Sequence, residues 1–349
     1  MVETRDSWPK RVEDVEHLEE LLSRPTDGVI ETMARLQGDI VVLGAGGKMG
    51  PSLARMARRA SDTAGVKRRV TGVARFSSPE TVTRLERHGV ETLRCDLLDE
   101  DALDSLPDAE NVVFMAGMKF GATCNEPLTW ATNCLLPAMV AQRYRKSRIV
   151  AFSTGNVYGL SPLERGGSVE TGALRPEGEY AMSCVGRERL LTYCSTALGV
   201  PMAILRLNYA CEMRYGVLLD IASRVFRAEP VDLTMGYFNA IWQGDANSYA
   251  LQALGQTATP PLVLNVTGTE ILSVRDVALR FASLLGGPAR FCGGPAPDAL
   301  LSNASCCHTL LGPPQTPIAR VIEWVAEWVR SGGPMLNKPT HFEVRDGKF

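Results

Sequence analysis

Asp39-Ile40-Val41-Val42-Leu43-Gly44-Ala45-Gly46-Gly47-Lys48-Met49-Gly50 runs from a continuous apolar segment straight into a glycine-rich turn, and a helical stretch follows. Gly44, Gly47 and Gly50 stand at GxxGxxG spacing. Glycine at such places permits a tight strand-to-helix turn, lets backbone approach a diphosphate and allows close helix–strand packing. The diphosphate then rests on exposed N–H groups at the positive end of the helix. In a chain with 32 glycines the spacing alone is weak. The apolar strand before it, the helix after it and the βαβ pattern beyond give it meaning. Gly44, Gly46, Gly47, Lys48, Met49 and Gly50 are therefore candidate dinucleotide contacts.

The same alternation continues outward. Apolar runs at Ile40–Leu43, Val70–Ala74, Glu91–Cys95, Val112–Ala116, Ile149–Ser153, Met202–Leu207 and Leu262–Thr267 read as strands. Several are continuously apolar, as strands covered on both faces are. Helical patterns at Met49–Ala60, Pro79–His88, Leu128–Lys146 and Tyr180–Leu198 fall between them. Strand and helix in alternation predict an α/β fold, a Rossmann-type doubly wound parallel sheet. After Asn208 the alternation becomes irregular, with helices near Val217–Ala228, Val274–Leu285 and Ile318–Arg330 joined by Gly- and Pro-rich links. The expected organisation is an N-terminal helical extension over 1–38, a dinucleotide-binding domain over 39–208, and a smaller C-terminal substrate lobe over 209–349, with the strand near 262–267 returning to the sheet. The extension carries apolar faces at Val15, Leu18, Leu21 and Leu22, then Val29, Ile30, Met33 and Leu36. It is expected to pack on the outside of the main domain. The tail Asn337–Phe349 has no periodicity and reads as either a docking arm or a frayed end.

Composition narrows the function classes. A net charge of -2 argues against a nucleic-acid surface. No apolar run reaches the roughly 18–20 residues that span a bilayer, and the polar N-terminus is not a signal peptide. Nine scattered cysteines without a CxxC pair predict reduced thiols and a cytoplasmic protein. The four histidines form no ligand pattern, so no metal site is expected.

The second strand bears on the cofactor. Enzymes that use NAD usually end this strand with an acid that binds the ribose hydroxyls. Here Val70-Thr71-Gly72-Val73-Ala74 is followed by Arg75, a cation able to pair with a 2′-phosphate. NADP is favoured and NAD remains open. Asp96 and Leu97, just past the third strand, are placed to meet the adenine; Asp99 reads equally well as a helix cap.

Three further segments, Arg148-Ile-Val-Ala-Phe-Ser-Thr-Gly-Asn-Val-Tyr-Gly159, Tyr180-Ala-Met-Ser-Cys-Val-Gly-Arg-Glu188 and Arg206-Leu207-Asn208, carry a resemblance. With the glycine turn and Asp96-Leu97-Leu98-Asp99, the chain from about Asp39 to Arg330 resembles the extended short-chain dehydrogenases/reductases, the NAD(P)-dependent sugar epimerase/dehydratase group. The resemblance implies Tyr180 as acid/base and Thr154 as donor to the reacting oxygen. It also implies cofactor contacts from Ala116, Gly117 and Asn133, and a homodimer through the helices Leu128–Lys146 and Tyr180–Leu198.

Two departures stand out. A phenol works near neutrality only if a cation draws its pKa down from about 10. The family's lysine, four residues after the tyrosine, is Cys184 here. Lys119, in Met115-Ala116-Gly117-Met118-Lys119-Phe120-Gly121, is the first candidate to replace it, and Arg187 the second. Loss of the chemistry, leaving an NADP(H)-binding sensor or interaction protein, is the alternative. The dehydratases' Asp-Glu pair is Gly155-Asn156 here, which does not titrate and disfavours water elimination by that route. Oxidation, reduction, or epimerisation through a transient ketone of a small sugar-like or sugar-acid substrate stays open. Asn156, Asn208, Tyr209, Arg214 and Trp242 are the candidate substrate contacts, with Arg214 and Lys119 suited to a carboxylate or phosphate. For Trp242 a core position, and for Arg214 a surface charge, is the plainer alternative.

Overall fold

The computed structural model describes residues 8–119, 125–338 and 340–347. Its spine is a parallel sheet of seven strands: β1 (Ile40–Leu43), β2 (Val70–Ala74), β3 (Glu91–Arg94), β4 (Asn111–Phe114), β5 (Arg148–Thr154), β6 (Met202–Leu207) and β7 (Leu262–Val266). The spatial order is β7-β6-β5-β4-β1-β2-β3, so the chain winds outward in both directions from β1 and β4. Ile40 lies opposite Val70 on one side and Asn111 on the other. β1 is buried along its length because helices cover both faces, which is why it has no alternating pattern. The crevice outside the strand carboxyl ends at this reversal is where such sheets take ligands.

The helices are α1 (Val15–Leu22), α2 (Asp27–Arg35), α3 (Gly50–Thr63), α4 (Pro79–Arg87), α5 (Glu100–Asp104), α6 (Glu126–Trp130), α7 (Leu136–Arg143), α8 (Gly178–Leu198), α9 (Val217–Phe226), α10 (Gln243–Ala253), α11 (Val274–Leu285), α12 (Ser305–Leu311) and α13 (Ile318–Arg330). The single helix expected over Leu128–Lys146 is interrupted by a π turn at Ala131–Leu135 between α6 and α7. Pro137 has no N–H to give to the Asn133 carbonyl one turn back. That carbonyl accepts from Arg187 Nε instead, at 3.3 Å.

The N-terminal helices are not an outer decoration. Leu18 and Leu22 of α1 are fully buried in the C-terminal core beside Trp242 and Trp324, while Val29 and Met33 of α2 join the core under the sheet. Ion pairs fix them: Arg59 to Glu20 at 2.9 Å and Arg55 to Glu16 at 3.1 Å from α3, and Arg214 to Glu19 at 2.9 Å. The extension expected on the outside of the main domain is therefore tied by its glutamates to arginines of two other segments. The tail docks as well. Phe342 is buried, and Thr340 donates to Asp220 through its N–H at 2.8 Å and its hydroxyl at 2.5 Å.

Candidate active site

The glycine turn has the form that its sequence requires. Gly44 has φ +95°, and a Cβ there would stand 2.8 Å from the Ala116 amide of the neighbouring loop. A Cβ on Gly50 would stand 2.6 Å from the Ala45 Cα, so α3 packs against β1 only with glycine there. The first turn of α3 carries no acidic residue, leaving its positive end unopposed. In front of it lies a cleft of about 440 Å³. Gly44, Gly46 and Gly47 form its floor, Arg75 and Asp96 come from the ends of β2 and β3, and Ala116 and Gly117 follow β4. Arg75 is exposed and makes no ion pair among the described residues. Leu97 lines the same cleft, and Asp99 caps α5, accepting from the Ala102 amide at 3.1 Å. The donors and shape fit a dinucleotide.

Asn133, read as a cofactor contact, is fully buried behind the cleft and spends its amide on the loop after β4. Its Oδ1 accepts from Met118 N at 2.9 Å and its Nδ2 donates to Met118 O at 2.9 Å, with a second bond to Ser183 Oγ at 2.9 Å. Arg187 Nη2 donates to the same Oδ1 at 2.7 Å, and Nη1 to Phe152 O at 2.7 Å. The pair therefore sets the position of Lys119, the next residue along. Phe120 and Gly121 of this loop lie outside the described residues.

A second cavity, of about 210 Å³, adjoins the cleft. The two share a wall of consecutive residues, Gly47-Lys48 and Met118-Lys119. Tyr180, Thr154, Asn156, Asn208 and Tyr209 line it, with Ser153, Tyr215 and Thr340. Thr154 Oγ1 donates to Asn156 Oδ1 at 3.0 Å and accepts from the Asn156 amide at 3.2 Å. Burial pushes the Tyr180 phenol well above its ordinary value, and Cys184 pushes it further; the Arg187 guanidinium and a hydrogen bond with Thr154 oppose this. Cys184 is itself raised by burial, so it is a neutral thiol near pH 7. Lys119 Nζ lies 5.9 Å from the centroid of the Tyr180 ring, and burial lowers its pKa to about 8.

Other candidates are placed elsewhere or otherwise engaged. Asn208 borders the cavity, but its Nδ2 donates to Asn239 Oδ1 at 2.7 Å and to Leu300 O. Arg214 is outside this cavity, paired with Glu212 at 3.1 Å and Glu19 at 2.9 Å. Trp242 is a core residue, its ring 5.5 Å from that of Trp324. Asp245 braces the Thr316 amide at 3.0 Å. Sequence reasoning missed Tyr215, whose ring centre lies 3.5 Å from Lys48 Nζ, and Thr340 from the tail. Neither carries a local signal. Four residues that underlie the resemblance prove to be braces. Arg206 pairs with Glu188 at 2.7 Å and donates to the Tyr158 hydroxyl at 2.6 Å, and Ser153 donates to Glu188 at 2.6 Å.

Comparison with known proteins agrees with this fold. Residues 40–211 match the model of the NAD dependent epimerase/dehydratase family. Among curated proteins none matches the chain. Solved structures that resemble it include the UDP-glucose 4-epimerase of Thermotoga maritima with UDP-glucose (TM-score 0.71, 17% identity, 84% of this chain and 99% of that one). The UDP-glucuronic acid 4-epimerase of Bacillus cereus with UDP-glucuronic acid and NAD gives a TM-score of 0.69 at 17% identity over the same shares. The dTDP-glucose 4,6-dehydratase of Bacillus anthracis with NAD gives 0.71 at 15% identity, over 84% of this chain and 96% of that one. At such identities the likeness is one of fold.

Proposed function

We propose that the chain, whose residues 40–211 match the NAD dependent epimerase/dehydratase family model, is an NAD(P)-dependent oxidoreductase or epimerase of a small sugar-like or sugar-acid substrate. The observation that carries this reading is the convergence of Tyr180 and Thr154 in a cavity that shares a wall with the dinucleotide cleft. A bound nicotinamide accepts or returns the hydride of a carbinol carbon. The chain's own residues move the proton. Tyr180 takes it from the substrate hydroxyl or returns it, and Thr154 donates a hydrogen bond to the same oxygen. Arg187 and Lys119 supply the positive potential that the lysine replaced by Cys184 would have supplied. The exposed Arg75 on the cleft wall supports NADP over NAD. Apolar exposure on α6, α8 and the π turn, at Trp130, Leu135 and Tyr193, supports a homodimer through that face.

One observation favours a second reading. Burial and Cys184 both push Tyr180 away from the phenolate, as in a protein that binds dinucleotide without turning substrate over. The two readings part in one experiment: the protein is mixed with NADP or NAD and a carbohydrate and sugar-acid panel, and nicotinamide absorbance is followed. A substrate-dependent change that Tyr180→Phe abolishes is expected. Tight cofactor binding with no change for any carbohydrate would leave the binding-protein reading.

A further inference from the structure

The last residues of the chain form a strap tied down at several points. Leu336 N donates to Arg214 O at 3.0 Å. Phe342 is buried in the C-terminal core, and Arg345 donates to Thr234 O at 3.3 Å and to Asp298 O at 3.1 Å. The end of the strap is fitted to the start of α8. A Cβ on Gly347 would fall on the Glu177 carbonyl, and one on Gly178 would fall on the Gly347 carbonyl, so neither position accepts a side chain with the strap in place. Tyr180 stands two residues beyond Gly178. Chain ends fray unless they are anchored, and this one is anchored beside the acid/base residue.

The strap parts two spaces. Thr340, itself buried, lines the cavity of about 210 Å³ that contains Tyr180 and Thr154. Its hydrogen-bond partner Asp220 lines a separate groove of about 410 Å³, together with Ser223 and Arg224 of α9 and with Asn337 and Glu343 of the strap. One hydrogen-bonded pair, Thr340 with Asp220, stands between the two. In the groove the strap's own Glu343 carboxylate pairs with Arg224 at 3.3 Å, engaging a guanidinium of the kind that binds phosphate. The cavity that is left to the reacting residues is smaller than the roughly 300–1,000 Å³ of pockets for drug-sized ligands.

Resting on the reading that this cavity holds the reacting hydroxyl, we propose that the strap sets the size of the substrate, with Thr340 as its specificity-determining residue. A single sugar ring is admitted. A sugar joined to a nucleoside diphosphate is shut out, because the strap blocks the way from cavity to groove and Glu343 holds the place on Arg224 that a diphosphate would take.

The test uses the full chain with its cofactor. Cofactor affinity is measured first; failure there sinks the proposed function itself rather than this inference. Calorimetry then compares D-glucose, D-galactose, D-glucuronate and D-galacturonate, each against its UDP-linked form, for the full chain and for a chain ending at Lys338. The full chain should bind at least one free sugar tenfold or more tighter than its UDP-linked form. In the shortened chain that ratio should fall at least tenfold, through tighter binding of the UDP-linked form. The double variant Gly347→Val/Arg345→Ala frees the end of the strap and keeps Phe342. It should move the ratio the same way by threefold or more, and it decides the matter if the shortened chain does not fold. A strap with a merely structural role would weaken both ligands together and leave the ratio unchanged, which overturns the proposal. So does a full chain that binds every UDP-linked sugar as tightly as the free one, or a cofactor-loaded protein that binds none of these ligands.

Discussion

Two clusters of buried charge lie within the same sheet, and they differ in make-up. Below Thr154, the Arg206 guanidinium meets both carboxylate oxygens of Glu188, donates to Tyr158 Oη at 2.6 Å and reaches the Glu170 carbonyl at 3.0 Å. Tyr158 in turn donates to Asn265 at 2.7 Å, and Asn265 ties the Ser168 and Asn303 carbonyls. Every charge there has its counter-charge. On the carboxyl side of the same strands, Lys48 and Lys119 face a cavity whose described lining contains no acid. A buried ion pair with its hydrogen bonds satisfied fixes geometry, whereas buried groups with shifted pKa values gather where chemistry is done. The strands are common to both clusters, so the brace holds Thr154 and Asn208 at the rim of the second cavity.

The largest effect is expected at the second cavity, where Tyr180 stands. Tyr180→Phe should lower kcat by about 10²–10⁴, the usual share of a positioned acid/base, while cofactor affinity stays within threefold. Steady-state kinetics with the substrate found by the absorbance screen checks it; retention of full turnover would sink the Tyr180 assignment. The matched cluster should respond in stability instead. Arg206→Ala leaves Glu188 buried without its partner and should cost about 3–5 kcal/mol in denaturant unfolding. A loss under 1 kcal/mol would mean that the brace is ornamental and that the contrast between the clusters fails.

The contrast also explains what the sequence reveals. β1, β2 and β6 begin and end where the apolar runs do, and α11 and α13 match their periodic segments, because each buries one coherent face or both. The glycine turn is legible because its chemistry lies in consecutive residues. α10 was invisible: all eleven of its residues are buried, so polar Gln243, Asn247, Ser248 and Gln252 point into protein and no amphipathic period exists. The N-terminal helices are legible as helices, but their partners are not, since Glu19 meets Arg214 across almost two hundred positions. For the same reason Arg214 looked like a substrate cation. Tyr180 and Thr154 were legible through a resemblance of motif, whereas the Lys48–Tyr215 contact joins unrelated segments and has no local signature.

A smaller effect concerns pH. Lys48 and Lys119 have pKa values lowered by burial to about 8, and the charges bearing on Lys48 are Glu212, Cys211, Lys119 and Arg214, while those on Lys119 are Cys184 and Asp220. The charged form of a lysine is the protonated one, so positive potential in the cavity is present at pH 7 and fades as pH rises through 8. Affinity for an acidic sugar should fall about tenfold per pH unit above that for each ammonium lost. Neutral sugars should show no such fall. Calorimetry of D-glucuronate and D-glucose from pH 6.5 to 9.5 checks the sign; a profile that rises with pH would show that the ammonium groups do not face the ligand's charge.

The smallest effect lies at the cleft's far end, where a third kind of charge stands. Arg75 is exposed, pairs with no acid among the described residues, and follows β2 where a ribose-binding acid would stand in an NAD enzyme. Exposure keeps water around the guanidinium, so its contact with a 2′-phosphate is screened and worth less than a buried pair. Arg75→Ala should therefore weaken NADP binding by about tenfold, near 1.4 kcal/mol, and leave NAD binding within twofold. The ratio of the two dissociation constants, measured by nicotinamide fluorescence at two salt concentrations, isolates the charge: the NADP preference should shrink as salt rises, because a solvated pair is screened on the scale of about 10 Å at 0.1 M. An unchanged ratio in the variant would move the cofactor choice from Arg75 to the adenine end around Asp96.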